Sequence, residues 1–251
     1  AGSIKVDTTI VEIKSFRDSL FIFGTDRIYR LTGSSIANFV VEPVTRVLGC
    51  SDGFSVQEIG GDLLFLSPDG LRTIAATTRI GDIELGTITK PIQQRIQDIG
   101  FDNLTSLIVR NKSQYRLFYP TTAGAAADSR GILATLKRTQ QGLGYEFADL
   151  KGMKPSATDT GFIGNTEYIM EGGFDGFVRI QEVGDTFDGE NVVAVYRSPD
   201  LSLGDAGLRK LMQRVILNYE VEGTVDAQLR VRYDSDDKDV PQPLFYDIAS
   251  P

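Results

Sequence analysis

Two stretches of the chain lie over each other without a gap when one is shifted by 43 residues. They are IKSFRDSLFIFGTDRIYRL (Ile13 to Leu31) and VQEIGGDLLFLSPDGLRTI (Val56 to Ile74). Ile13 falls on Val56, Phe16 on Ile59, Leu20 on Leu63 and Phe23 on Leu66. The turn residue Asp26 falls on Asp69, Ile28 on Leu71 and Leu31 on Ile74. Each stretch reads as a strand pair closed by a tight turn. In SPDG, Pro68 fixes φ, Asp69 can bond its own backbone and Gly70 accepts a positive φ. A repeated unit of this size cannot bury both of its faces alone, so it constrains the fold to one built by stacking such units.

Two later stretches follow the same grammar. TSLIVRNKSQYRLFY (Thr105 to Tyr119) has an apolar run, a polar turn and then alternation at Tyr115, Leu117 and Tyr119. GNTEYIMEGGFDGFVRIQ (Gly164 to Gln181) leads Tyr168, Ile169 and Met170 into EGGFDG. Between them, Arg130 to Leu150 reads as two more strands around a Gln-Gly turn. A period near 43 fits one four-stranded propeller blade, roughly 40–45 residues. A β-sandwich is the alternative, since it too has many short strands. The expected fold is therefore all-β, with propeller-like blades over residues 1–189 and a second small β domain or strand-rich arm over 190–251. Only about four units fit, which predicts that N-terminal blades are missing and that the chain is a fragment of a longer polypeptide.

One helix interrupts the β pattern. Ile88, Ile92, Ile96 and Ile99 have helical spacing, Pro91 suits a first turn and Thr89 can cap. The spacing predicts a short helix over Lys90 to Asp98, with Ile92 and Ile96 facing the β core. TAGAAADSRG (Thr122 to Gly131) reads as a mobile surface loop, and GDTFDGEN (Gly184 to Asn191) as a linker. Beyond it, Arg214 to Val221 alternates, VEG makes a turn, and Val225, Ala227, Leu229, Val231 and Tyr233 alternate again. That pattern predicts a hairpin with one buried face.

The residues exclude several chemistries. There is no histidine, hence no Ser-His-Asp triad, Cys-His dyad or histidine-based zinc site. Cys50, the single cysteine, allows no intrachain disulfide and reads as a small packed residue. No Walker loop is present. SPDGLRT is similar to the Asp-box of sialidase propellers, but Gly70 directly follows Asp69 and the chain has no tryptophan. Paired carboxylates for glycoside hydrolysis are available only in the sense that 34 acidic residues make chance pairs certain. DSDDKD (Asp234 to Asp239) lacks the glycine and distal glutamate of a familiar calcium loop and reads as a solvated turn. Arg209-Lys210 reads as a strand start. No catalytic, cofactor-binding or metal-ligating residue is expected. The formal net charge of −8 opposes a grip on DNA phosphates, but suits a wall that DNA passes. No apolar run spans a bilayer, no charged-then-apolar signal segment opens the chain, and no direct membrane insertion is expected.

FRDSLFIFGTDRIYRLTG, VTRVLGCSDGFSVQEIGGDLLFLSPDGLRTI and YRSPDLSLGDAGLRKLMQRVILNYE together resemble the tail nozzle proteins of short-tailed bacteriophages. These are also called tail tubular or packaged-DNA-stabilisation proteins. The resemblance covers most of residues 10–235. It implies a non-enzymatic β-propeller of the virion tail, assembled as a homohexameric ring below the portal and adaptor. Such a ring helps retain packaged DNA, passes it during ejection, and meets tail fibre or spike proteins. A receptor- or glycan-binding propeller is the alternative, and a propeller glycoside hydrolase a third reading.

Overall fold

The computed structural model describes residues 3–75, 87–97, 99, 103–120, 129–139, 142–153, 155–184, 186–187, 189–205, 207–208, 210–218, 226–234 and 239–248. The described residues are nearly all β, apart from short helical segments and 3-10 turns. It divides into two units, Ala1–Val192 and Val193–Pro251.

The described residues of the first unit hold, in chain order, four antiparallel sheets of three or four strands and then a two-stranded hairpin. The first sheet contains β1 (Ile10–Phe16), β2 (Ser19–Gly24), β3 (Ile28–Thr32) and β4 (Val40–Thr45). The second contains β5 (Gln57–Ile59), β6 (Asp62–Ser67) and β7 (Gly70–Thr73), with Thr87 bridged to Arg72 at its margin. The third contains β8 (Thr105–Val109), β9 (Gln114–Pro120), β10 (Ser129–Thr139) and β11 (Gly142–Leu150). The fourth contains β12 (Pro155–Ile163), β13 (Thr166–Gly173) and β14 (Val178–Ile180). Every neighbour in these sheets is also a neighbour in sequence, as antiparallel pairing permits.

The sheets pack face to face in series. Phe21 and Phe23 of the first sheet meet Leu63 and Phe65 of the second. Leu64 and Leu66, on the opposite face of β6, meet Ile108, Tyr115 and Leu117 of the third. Leu107, Val109 and Phe118, on the far face of the third, meet Ile169 of the fourth. Side chains alternate across a strand, so a strand packed on both faces must be apolar at consecutive positions. That is why Leu63-Leu64-Phe65-Leu66 is an unbroken run, each residue fully buried. A two-layer sandwich leaves each sheet one wet face; the second and third sheets here are covered on both.

The repeat survives in three dimensions. Shifting β2 by 43 residues gives Asp62–Ser67, the bounds of β6. Phe16, Phe21, Phe23 and Ile28 pack from the first sheet onto the second. Their equivalents at the same shift, Ile59, Leu64, Leu66 and Leu71, pack from the second onto the third. What repeats is therefore a sheet with a direction, presenting the same positions forward to its successor.

Lys90–Ile92 is a 3-10 turn that continues into helix α1 (Gln93–Gln97). Asp98, the expected last residue, lies outside the described residues. Ile96 and Ile99 are buried between the second and third sheets, and Ile88 and Ile92 pack against them. Thr89 does not cap the turn. Its hydroxyl oxygen accepts instead from the Leu71 amide at 3.2 Å, which ties the helix start to β7. Most of the expected loop over Thr122 to Gly131 lies outside the described residues, and Ser129–Gly131 begin β10.

The expected linker carries a miniature hairpin, β15 (Thr186–Phe187) against β16 (Glu190–Asn191). In the second unit, β17 (Ala227–Leu229) pairs with β18 (Tyr246–Ile248). This corrects the expected hairpin: residues 211–218 form no strand and are exposed, and 219–225 lie outside the described residues. Alternation identifies which side chains share a face but not which strand will pair. None of the described residues of this unit is buried.

Candidate functional site

The polar groups of the first unit gather at the β-turns and at the seams between sheets. Three turn aspartates follow the second strand of their sheets or, in the fourth, β13. Asp26 accepts hydrogen bonds from the Thr8 hydroxyl at 2.6 Å and Arg27 Nε at 3.0 Å. Asp69 accepts from Arg72 through Nε at 2.9 Å and through Nη2, and from the Thr87 hydroxyl at 3.0 Å. Asp175 accepts from Arg179 Nη1 at 3.1 Å, Arg179 Nη2 at 2.5 Å and the Phe177 amide at 3.1 Å. Each aspartate thus binds an arginine on the strand that follows or at its start. Bonds from Arg179 and from the Phe177 amide hold the Asp175 carboxyl down at about 2. For Asp69, burial pushes upward, but the Arg72 bonds and charge and the Thr87 hydroxyl outweigh it and the net shift is downward. The Asp69 carboxylate engaged in this way clips its turn to β7 and to Thr87.

Gly70 is required at this turn. Its φ is +131°, and a Cβ there would lie 2.2 Å from Thr89 Oγ1 and 2.8 Å from Thr87 Cγ2. Gly70→Ala is expected to cost about 2 kcal/mol or more, from backbone strain plus displacement of the threonines that hold the helix to β7. Urea unfolding of the purified chain checks this; an unchanged midpoint would show that the turn relaxes freely.

The seam between the third and fourth sheets holds two of the three buried charged residues among those described, Arg116 and Glu171. Arg116, 5% exposed, donates through Nη1 to Gln181 Oε1 at 2.9 Å. Through Nη2 it donates to Gln114 Oε1 at 2.9 Å and to Glu182 Oε1. Lys112 donates to Glu182 Oε2 at 2.7 Å, and Gln181 donates to the buried Glu171 at 2.7 Å. Burial pushes the Glu182 carboxyl up, yet Lys112 and Arg116 outweigh it and leave it below its ordinary value. Nearby, Glu167 accepts the Arg110 and Asn111 amides at 2.8 and 2.9 Å. The Thr105 and Thr158 hydroxyls meet at 2.8 Å, and Thr160 donates to the Ile108 carbonyl at 3.0 Å. These contacts fasten one sheet to the next; no nucleophile and general base converge among them.

Cys50 belongs to a second seam. Its thiol donates to the Asp52 carbonyl at 3.1 Å, and burial pushes its pKa up to about 11. It is therefore a neutral, packed thiol at physiological pH. Asp52 caps the 3-10 turn Gly53–Ser55 by accepting the Phe54 amide at 2.7 Å. Ser55 accepts the Leu66 amide at 3.0 Å with its hydroxyl and the Tyr115 hydroxyl at 3.0 Å with its carbonyl. One turn thereby joins the second and third sheets.

A shallow cleft of about 250 Å³ is lined by Glu58, Ile59, Gly60, Ile108, Arg110 and Ser113. It offers one carboxylate beside an arginine, whereas glycoside hydrolysis uses two carboxylates. Most of Asp234 to Asp239, and Arg209, lie outside the described residues. Lys210 donates to the Ser202 and Asp205 carbonyls and so closes its own loop. Among the described residues no group of three or more Cys, Asp or Glu is placed to hold a metal, and no helix is long and apolar enough to cross a membrane. The arginine partners of the turn aspartates were missed in the sequence: they stand one, three and four residues after Asp26, Asp69 and Asp175, so no common spacing announces them. No protein-family model matches the chain, and no curated protein matches it.

Proposed function

We propose that this chain is a structural subunit of a phage tail nozzle, built from propeller blades and assembled as a homo-oligomeric ring through which double-stranded DNA leaves the virion. The observation that carries this reading is the series of four small antiparallel sheets, stacked face to face in chain order with the 43-residue repeat preserved. Stacking of four-stranded units about an axis is how propeller blades bury their faces. The polar seams described above act as fasteners, which suits a load-bearing part. The resemblance of three segments to tail nozzle proteins supplies the biological setting: portal and adaptor on one side, fibres or spikes beside it.

The charge balance supports a conduit. Each phosphate contact adds sequence-independent affinity, so a basic lumen would hold DNA as it left. A chain with a net charge of −8 can present an inner wall richer in Asp and Glu than in Lys and Arg. Native mass measurement and electron microscopy of the purified chain, alone and with its portal-side partners, test the reading. A ring with an acidic channel is expected. A chain that stays monomeric with those partners would overturn the ring. Tight duplex binding at physiological salt would overturn the low-friction wall even if a ring formed.

A further inference from the structure

We infer that the seam between the first and second sheets binds an ordered water at the end of β6, held by Arg72, Ser67 and Ser51. Among the described residues, five buried side-chain atoms meet no hydrogen-bond partner in the chain: Arg30 Nε, Ser51 Oγ, Ser67 Oγ, Arg72 Nη1 and Arg116 Nε. Buried polar groups are nearly always paired, with protein or with water. Arg30 and Arg116 stand apart, one on β3 and the other on β9. The remaining three belong to one place, and the strand register puts them there. Phe65 pairs with Arg72 and Ser67 with Gly70, so Arg72 and Ser67 are diagonal neighbours across β6 and β7. Both lie on the face of Phe65, which packs on the first sheet. Arg72 is 1% exposed and Ser67 0%. Arg72 reaches along that face toward the turn, because its Nε and Nη2 both donate to Asp69. The Ser51 amide donates to the Leu66 carbonyl at 2.8 Å, which sets Ser51 beside the peptide that joins Leu66 to Ser67.

The donor set asks for water rather than an ion. Nη1 has two N–H groups to give and no lone pair to offer, whereas each serine hydroxyl can both donate and accept. A water accepts from Nη1 and returns hydrogen bonds to the serine oxygens, so the three groups are satisfied together. A small anion would also accept from these donors, but the Asp69 carboxylate that holds Arg72 repels it and already balances the guanidinium charge. The Ser67 hydroxyl lies on the Asp69 side of this group and helps hold that carboxyl down. The water has a mechanical consequence. The Cys50 amide donates to the Gly24 carbonyl at 2.8 Å, so the Cys50–Ser51 segment is tied to β2 of the first sheet as well as to β6 of the second. Bridging Ser51 to Arg72 extends that tie to β7 and to the Asp69 turn. The site is thus a joint between the first two sheets, and it stands independently of the nozzle reading.

Oxygen-17 magnetic relaxation dispersion of the full chain in solution tests this, because it counts the waters that stay bound longer than the protein takes to tumble. Ser67→Val removes a hydroxyl and sets a methyl group where the water would sit. Ser51→Val does the same from the other side of the site, at a less buried residue, and keeps the test open if the Ser67 variant does not fold. The expected result is the loss of one long-lived water in each folded variant relative to the native chain. A count that a folded variant leaves unchanged would overturn the three-residue site. Chloride-35 relaxation enhanced by the native chain and not by the variants would identify the occupant as an anion and overturn the water. A crystal structure of the native chain in which Arg72 Nη1 donates directly to a serine oxygen or a main-chain carbonyl would overturn it as well.

Discussion

Ile96→Asp should destabilise the chain by about 4 kcal/mol or more, a large share of the roughly 5–15 kcal/mol that holds an ordinary domain together. Ile96 is 1% exposed and sits among Leu64, Leu66, Leu71, Tyr115 and Leu117. Losing its burial accounts for roughly 2–3 kcal/mol. The new carboxylate must then either remain charged without a partner or take up a proton, and both cost more than the lost methylenes alone. Ile96→Ala separates the two contributions, since it makes a cavity without a charge and should cost about 3 kcal/mol. Ile92→Asp is the positional control: Ile92 only flanks the cluster, so its loss should be much smaller. The chain has no tryptophan, so urea unfolding is followed by far-ultraviolet circular dichroism. Equal midpoints for the Ile96 and Ile92 variants would mean that the helix does not seal the space between the second and third sheets.

The same helix shows what a sequence can reveal. Four isoleucines at helical spacing, with Pro91 at the start, were sufficient to place it between strands. The expected capping by Thr89 does not occur, because β7, which claims that hydroxyl, is brought beside it only by the fold. The strands of the first two sheets were legible because β2 and β6 are apolar at consecutive positions and end in turn residues. The unbroken run at Leu63 to Leu66 already implied burial on both faces. The buried arginines were harder to read. Arg72 and Arg116 sit inside apolar strands, where a cation signals either a misjudged strand or an internal partner, and their partners lie as far as Gln181 and Glu182. In the last sixty residues, alternation at Val215 and Leu217 suggested a buried face, but neither residue is buried in the single chain. A period of two tells which residues travel together; it does not supply the surface that covers them.

Arg116→Met should cost about 3 kcal/mol at pH 7, and the cost should shrink as the pH is lowered toward 4. Methionine keeps much of the volume and the apolar stem, so the loss isolates the guanidinium. At neutral pH the variant leaves Gln181 Oε1 without its donor and deprives Glu182 of the nearer of its two cations. In the native chain the Glu182 carboxyl lies below its ordinary value. Its contribution is therefore present above the unfolded-state pKa, near 4.3, and is lost as pH falls through the folded value. In the variant, with Lys112 alone beside it, the carboxyl is no longer held as low and accepts a proton at a higher pH, which relieves the charge that Arg116 no longer offsets. The native chain loses its advantage over the same interval, so the two stability curves converge on acidification. Urea midpoints at pH 7, 5 and 4 measure this directly. Glu182→Gln in the Arg116→Met background should recover part of the loss at pH 7 and less of it at pH 4, because acidification itself protonates more of the carboxyl. A constant gap across the range would place the effect in packing around β9 rather than in charge.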